Sequence, residues 1–133
     1  MFEWKDEYSV QVGSIDAQHR TLFQIGAELH GAMLSGQGRV ITNRILDRLV
    51  QYTAMHFAHE ERLMRLNNYP DLAAHQVLHK ALTDKVLKFQ AEVQGGRAAV
   101  TVQLLQFLTD WLQNHIRNTD QKYVPFMAGK LVA

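Results

Sequence analysis

The chain has 133 residues, 47% of them hydrophobic, and a formal net charge of +1. That is the size of one domain, 1–133, with a core of its own, and the interspersed charges offer neither a basic stripe for nucleic acid nor an acidic partner arm. It contains no Cys, which excludes iron–sulfur clusters, thiolate-bound zinc, covalent haem attachment and disulfides, so any metal must be held by nitrogen and oxygen.

The first residues, Met-Phe-Glu-Trp-Lys-Asp-Glu, lack a charged-then-apolar leader, and no apolar run approaches the ~18 residues of a membrane span. A cytoplasmic location is expected. Phe2 to Ile15 has apolar residues without helical period and reads as an extended arm laid on the body of the protein, with Trp4 and Tyr8 as anchors. Three groups of breakers follow: Ser35-Gly36-Gln37-Gly38, Asn67-Asn68-Tyr69-Pro70-Asp71 and Gly95-Gly96-Arg97. They predict helices near 16–35, 41–66, 72–93 and 98–117, with Asp16 and Asp71 as N-caps of the first and third. Connections this short favour antiparallel neighbours. Tyr123, Pro125 and Phe126 suggest a short terminal helix or turn. No linker, repeat or low-complexity segment interrupts the chain.

Each helix carries a histidine on its apolar face. The first has His19 ahead of Leu22, Phe23, Ile25 and Leu29; the second runs Ile45, Leu49, Tyr52, His56, Leu63; the third His75, Leu78, His79, Leu82, Val86; the fourth Leu104, Leu108, Trp111, His115. Residues four apart lie about 40° apart around a helix, so His56 with Glu60, and His75 with His79, aim at common points. His115 and Asp120 are five apart, about 140° on an ideal helix, so the chain must leave α-geometry between them if both bind one centre.

Five imidazoles and two carboxylates are too many ligands for one ion and enough for two. A tetrahedral zinc would leave three unused, whereas a nitrogen-rich set with two bridging carboxylates suits a non-haem di-iron centre. Taken singly, each feature has a plainer explanation. A lone His on an apolar face is usually a hydrogen-bonded core residue, and one His-x-x-x-His pair arises by chance. Their conjunction on successive helices does not. His30 shares the face of His19 but lies about 16 Å further along the helix, so it reads as a bundle-end polar group. His59, about 60° round from His56, reads as an outer partner of the ligands or as a solvated flank, the latter favoured; Glu61-Arg62 reads as a solvent face, and Leu22, Phe57 and Trp111 as core packing beside the metal. Tyr52, Tyr69 and Tyr123 are left undecided.

The order His, His-x-x-x-Glu, His-x-x-x-His, His-x-x-x-x-Asp resembles the hemerythrins, specifically the single-domain bacterial ones. The local strings Gly13-x-x-Asp16-x-Gln18-His19, His56-Phe57-x-x-Glu60-Glu61, Tyr69-Pro70 and Trp111-Leu112-x-Asn114-His115-Ile116 carry the same resemblance. It covers nearly the whole chain and implies an all-α, up-down-up-down four-helix bundle with an extended N-terminal arm and a short C-terminal helix or turn. It further implies that His75, His79 and His115 bind one iron and His19 and His56 the other, bridged by Glu60, Asp120 and a solvent-derived oxo or hydroxo group. Leu22, Phe57 and Trp111 would then wall an oxygen pocket, with O2 held as hydroperoxide on the two-His iron. On this reading the protein is a reversible oxygen binder and not an enzyme, a monomer that stores, delivers or senses O2, with or without an O2-consuming or signalling partner.

The alternatives are a di-iron redox enzyme acting on peroxide or nitric oxide, and an iron or oxygen sensor working through a partner. Carboxylate-rich di-iron enzymes of the ferritin-like type use Glu-x-x-His pairs, and this chain has none. A metal-free interaction bundle would leave seven ionisable groups buried at high cost.

Overall fold

The structure is a computed structural model that describes residues 2–36, 38–96 and 102–127. Four long helices follow one another: α1 Gly13–Leu34, α2 Arg39–Leu66, α3 Leu72–Gln94 and α4 Val102–Asn114. α1 packs on α2, α2 on α3, and α4 returns against α1, giving the up-down-up-down bundle expected of short connections. Of the fourth helix anticipated at 98–117, residues 98–101 lie outside those described. Beyond α4 come a π turn, His115–Thr119, a 3₁₀ turn, Asp120–Tyr123, and a terminal helix α5, Val124–Met127.

The anticipated breakers close the helices by a common device. At the end of α2, Asn68 takes a left-handed φ of 56°. Its N–H donates to Arg65 O at 3.2 Å, and Tyr69 N–H donates to Met64 O at 2.9 Å. This pair of bonds satisfies carbonyls that a helix end would leave orphaned. Gly36, with φ 67°, does the same for α1 by donating to Met33 O at 3.2 Å, a conformation that costs glycine little.

One of the two expected N-caps is displaced, and the other holds its position without its side-chain bond. α1 starts at Gly13, so Asp16 lies inside its first turn. The Asp16 carboxylate accepts from Ser9 Oγ at 2.6 Å and from Val10 N–H at 2.8 Å, fastening the arm to the helix while its charge faces the positive end of the helix dipole. Asp71 does occupy the N-cap position of α3, but its side chain makes no capping bond.

The arm therefore ends at Val12, with a 3₁₀ turn at Asp6–Tyr8 and a left-handed φ of 60° at Gln11. Buried Tyr8 stacks on Phe23 with ring centroids 5.4 Å apart, and Trp4 meets both rings edge-on. Arg20 lies over Trp4, 4.9 Å from the ring centroid, a cation–π contact. Phe2 presses on α1 where Gly26 leaves room; a Cβ there would sit 2.5 Å from the Phe2 ring.

Two apolar clusters divide the bundle. One contains Ile15, Leu63, Met64, Tyr69, Tyr123 and Met127, with Leu72 against it; the other contains Leu22, Leu29, Leu46, Leu105 and Leu108, with Tyr52, Val86 and Leu112 against it. Along every helix the polar site residues fall between the two: His19 between Ile15 and Leu22, His56 and Glu60 between Tyr52 and Leu63, His75 and His79 between Leu72 and Val86. The site is thus a polar layer sealed at both ends by hydrocarbon.

Candidate metal centre

All seven anticipated ligands come together in that layer. His19, Glu60 and Asp120 are fully buried, and His115, the least buried of the set, is 7% exposed. α1 supplies His19, α2 His56 and Glu60, α3 His75 and His79, and the turns beyond α4 supply His115 and Asp120.

The five-residue gap is met by the π turn. Asp120 N–H donates to His115 O, an i→i+5 bond in place of the α-helical i→i+4 bond. That widened turn restores register between residues five apart, and Asp120 Oδ1 lies 3.0 Å from His115 Nε2. Regular α-helix ends at Asn114 rather than 117 for this reason.

Each carboxylate is split between two groups of imidazoles. Glu60 Oε1 is 3.0 Å from His79 Nε2 and 3.3 Å from His75 Nε2, while Glu60 Oε2 is 3.6 Å from His19 Nε2 and 3.5 Å from His56 Nε2. Asp120 Oδ1 faces His75 and His115 at 3.1 and 3.0 Å, and Asp120 Oδ2 faces His19 at 3.4 Å. Bonds of ~2.1 Å to one ion put adjacent ligand atoms about 3 Å apart in octahedral geometry, so both groups have the spacing of a coordination shell. The metal-competent sets are Glu60, His75, His79, His115 and Asp120, and His19, His56 and Glu60.

The donor atoms fit cations better than they fit one another. Nε2 of His75 and of His79 each stand 3.2 Å from Nε2 of His115, and neutral rings so placed cannot all donate. His19 Nε2, Glu60 Oε1 and both Asp120 oxygens are buried with no hydrogen-bond partner, a costly arrangement unless something positive lies among them. Protonation supplies part of that charge. Burial opposes it at His19 and His75, but the adjoining Asp120 and Glu60 carboxylates prevail and raise both to about 9. At His56 burial prevails over the Glu60 charge, and the pKa falls to about 4. Burial also opposes ionisation of Glu60, yet His56, His19, His75 and His79 hold it well below the usual carboxylate range. At Asp120 burial and the Glu60 charge both oppose ionisation, and His115 and His19 outweigh them.

An outer layer orients these side chains. His56 Nδ1 is 2.8 Å from Gln18 Oε1, and His79 Nδ1 is 2.8 Å from Glu61 Oε2. Tyr123 Oη donates to Glu60 Oε2 at 2.9 Å, which selects Tyr123 from the three undecided tyrosines. Burial and then the Glu60 and Asp120 charges raise its pKa well above the ordinary value, so it stays a donor. Glu61 is the residue that periodicity misreads: it follows a buried ligand by one position and so points about 100° away from it, but α3 covers that flank too. His59 meets Ser14 Oγ at 3.0 Å and no site residue. His30 is half-buried on α1, away from the site.

Leu22, Phe57 and Trp111 share the wall of an apolar cavity of about 40 Å³, lined also by Phe2, Leu82 and Leu112 among others. Phe57 stacks on His79 at 3.8 Å and Trp111 on His115 at 4.4 Å between centroids, so the cavity wall and the ligand rings are one packed unit. The lining hydroxyl, Thr53 Oγ1, is already used on Leu49 O at 2.7 Å.

Comparison with known proteins places the chain among relatives with this architecture. The hemerythrin HHE cation binding domain matches residues 11–127. The chain is 37% identical over 120 residues to a bacteriohemerythrin of Stenotrophomonas maltophilia, covering 90% of this chain and 77% of that one. To the bacteriohemerythrin of Methylococcus capsulatus it is 35% identical, covering 92% and 93%. A crystal structure of wild-type hemerythrin superposes with a TM-score of 0.91 at 34% identity, covering 96% of this chain and 98% of that one. The chain belongs to the hemerythrin family.

Proposed function

We propose that this layer holds two iron ions and that the protein binds dioxygen there reversibly. His75, His79 and His115 would hold one iron and His19 and His56 the other, with Glu60 and Asp120 across both. The observation that carries this reading is the splitting of each carboxylate, one oxygen toward the three-imidazole group and one toward the two-imidazole group. Membership of the hemerythrin family supports it.

Bound there, two irons would supply the redox chemistry that dioxygen uptake and release require. The chain's own residues make that reversible. Five imidazoles give neutral donors, and two carboxylates offset only part of the metal charge. Tyr123 holds its proton on Glu60 Oε2, which fixes that carboxylate's orientation. Gln18 and Glu61 hold the outer nitrogens of His56 and His79, so their inner nitrogens face the site. Leu22, Phe57 and Trp111 keep water, and hence stray protons, from the space beside the ligands.

The test is metal analysis followed by an oxygen cycle. Two irons per chain are expected, with a visible band that appears when anaerobically reduced protein meets oxygen and fades under vacuum. One zinc per chain, no iron after growth in ample iron, or irreversible bleaching with release of product would overturn the reading.

A further inference from the structure

His56 and His79 both turn Nδ1 outward to a side chain on another helix, but the two acceptors differ in charge. Gln18, which meets His56, is a neutral amide; Glu61, which meets His79, is a carboxylate. Glu61 is held in place for this contact. Gln76 Nε2 donates to its other oxygen at 3.1 Å, and its side chain is only 23% exposed. The His79 ring is fixed as well, since Phe57 stacks on it with the two planes 5° apart. Glu61 Oε2 and Glu60 Oε1 therefore sit at opposite ends of one immobilised imidazole, at 2.8 and 3.0 Å. With Nδ1–H donated to Glu61, Nε2 is left with the lone pair that a metal ligand needs.

We propose that Glu61 is a positioning residue that makes the three-imidazole side of the centre electron-rich, while Gln18 leaves the two-imidazole side without added charge. The proposal rests on the di-iron reading above. A carboxylate accepting from Nδ1–H draws the proton toward itself and gives Nε2 part of an imidazolate's negative charge, which a neutral amide does far less. The added charge favours the ferric state on the three-imidazole side. The two irons are thus distinguished by their outer partners as well as by ligand count.

Glu61→Gln keeps an acceptor and removes the charge, whereas Glu61→Ala removes both. In the full chain loaded with zinc and labelled with ¹⁵N at histidine, the His79 Nδ1–H proton resonance is expected far downfield in the parent. It should move upfield in Glu61→Gln and be lost to solvent exchange in Glu61→Ala. This readout needs no iron, and the iron content of the parent separately tests the di-iron reading. In iron-loaded protein, Glu61→Gln is expected to retain both irons with a midpoint potential above the parent's. Glu61→Ala should lose iron to a chelator about 10- to 100-fold more readily, the usual effect of removing such a partner. Gln18→Glu should shift the potential downward. Equal potentials in the parent and Glu61→Gln, or an unchanged His79 signal in all variants, would overturn the proposal.

Discussion

Tyr123 Oη lies 2.9 Å from Glu60 Oε2, the oxygen that also faces His19 and His56, and both residues are fully buried. A donor so placed holds one carboxylate oxygen against rotation without competing for the site, because its own pKa is raised and it keeps its proton.

We predict that Tyr123→Phe folds but is destabilised by about 1–3 kcal/mol, the usual cost of leaving a buried polar group unpaired. Denaturant unfolding of the loaded protein measures it. A loss below ~0.5 kcal/mol with unchanged iron retention would mean that Glu60 is held by its imidazoles alone.

Metal-free protein should show a pH dependence set by the imidazoles. His19 and His75 are raised from 6.5 to about 9, so the stability they contribute is full below pH 6.5 and is lost as pH rises through 9. His56 is lowered to about 4; its contribution is full above 6.5 and is lost as pH falls toward 4. The expected result is a falling denaturation midpoint between pH 6.5 and 9 that disappears when metal replaces the two protons, with proton release on loading at neutral pH. A flat midpoint in chelator-treated protein, or loading without proton release, would contradict it.

Much of the site is legible in the chain because its first four histidines lie on helices whose period is set by their own core. His19, His56, His75 and His79 share faces with Leu22, Leu49 and Leu82, and the period alone gathers them. The gap from His115 to Asp120 is legible for the opposite reason: it breaks the period, and only a distortion such as the π turn can repair it. Contacts between helices are what periodicity cannot carry. Glu61 belongs to a face pointing away from Glu60, and only the angle at which α3 crosses α2 turns that face into a partner for His79. Asp16 fails as a cap for a related reason, since the arm that reaches it through Ser9 and Val10 has no period to read.

The contact between Phe2 and Gly26 predicts a reversal of sign. Gly26→Ala should cost roughly 1–3 kcal/mol through overpacking against the Phe2 ring. In a Phe2→Ala background the same change should stabilise, by up to about 1 kcal/mol, since alanine is the better helix former. A double-mutant cycle in urea reads the coupling. Loss of the same size in both backgrounds would show that Phe2 does not rest on α1 in solution.

Trp111 tests the cavity wall. It is half-buried, stacks on His115 with planes 12° apart, and closes the cavity together with Leu22 and Phe57. If the wall protects bound oxygen by excluding water and protons, opening it should hasten conversion to ferric protein and release of peroxide. We predict that Trp111→Ala keeps both irons, because none of the seven ligands is altered, yet autoxidises faster than the parent. Trp111→Phe, which retains a ring against His115, should fall between the two and controls for general loosening of the bundle. Autoxidation is followed by decay of the oxygenated band and peroxide by a coupled assay. Equal or slower autoxidation in Trp111→Ala at unchanged iron content would mean that Trp111 only packs, and that Leu22 and Phe57 on the facing helices keep water out.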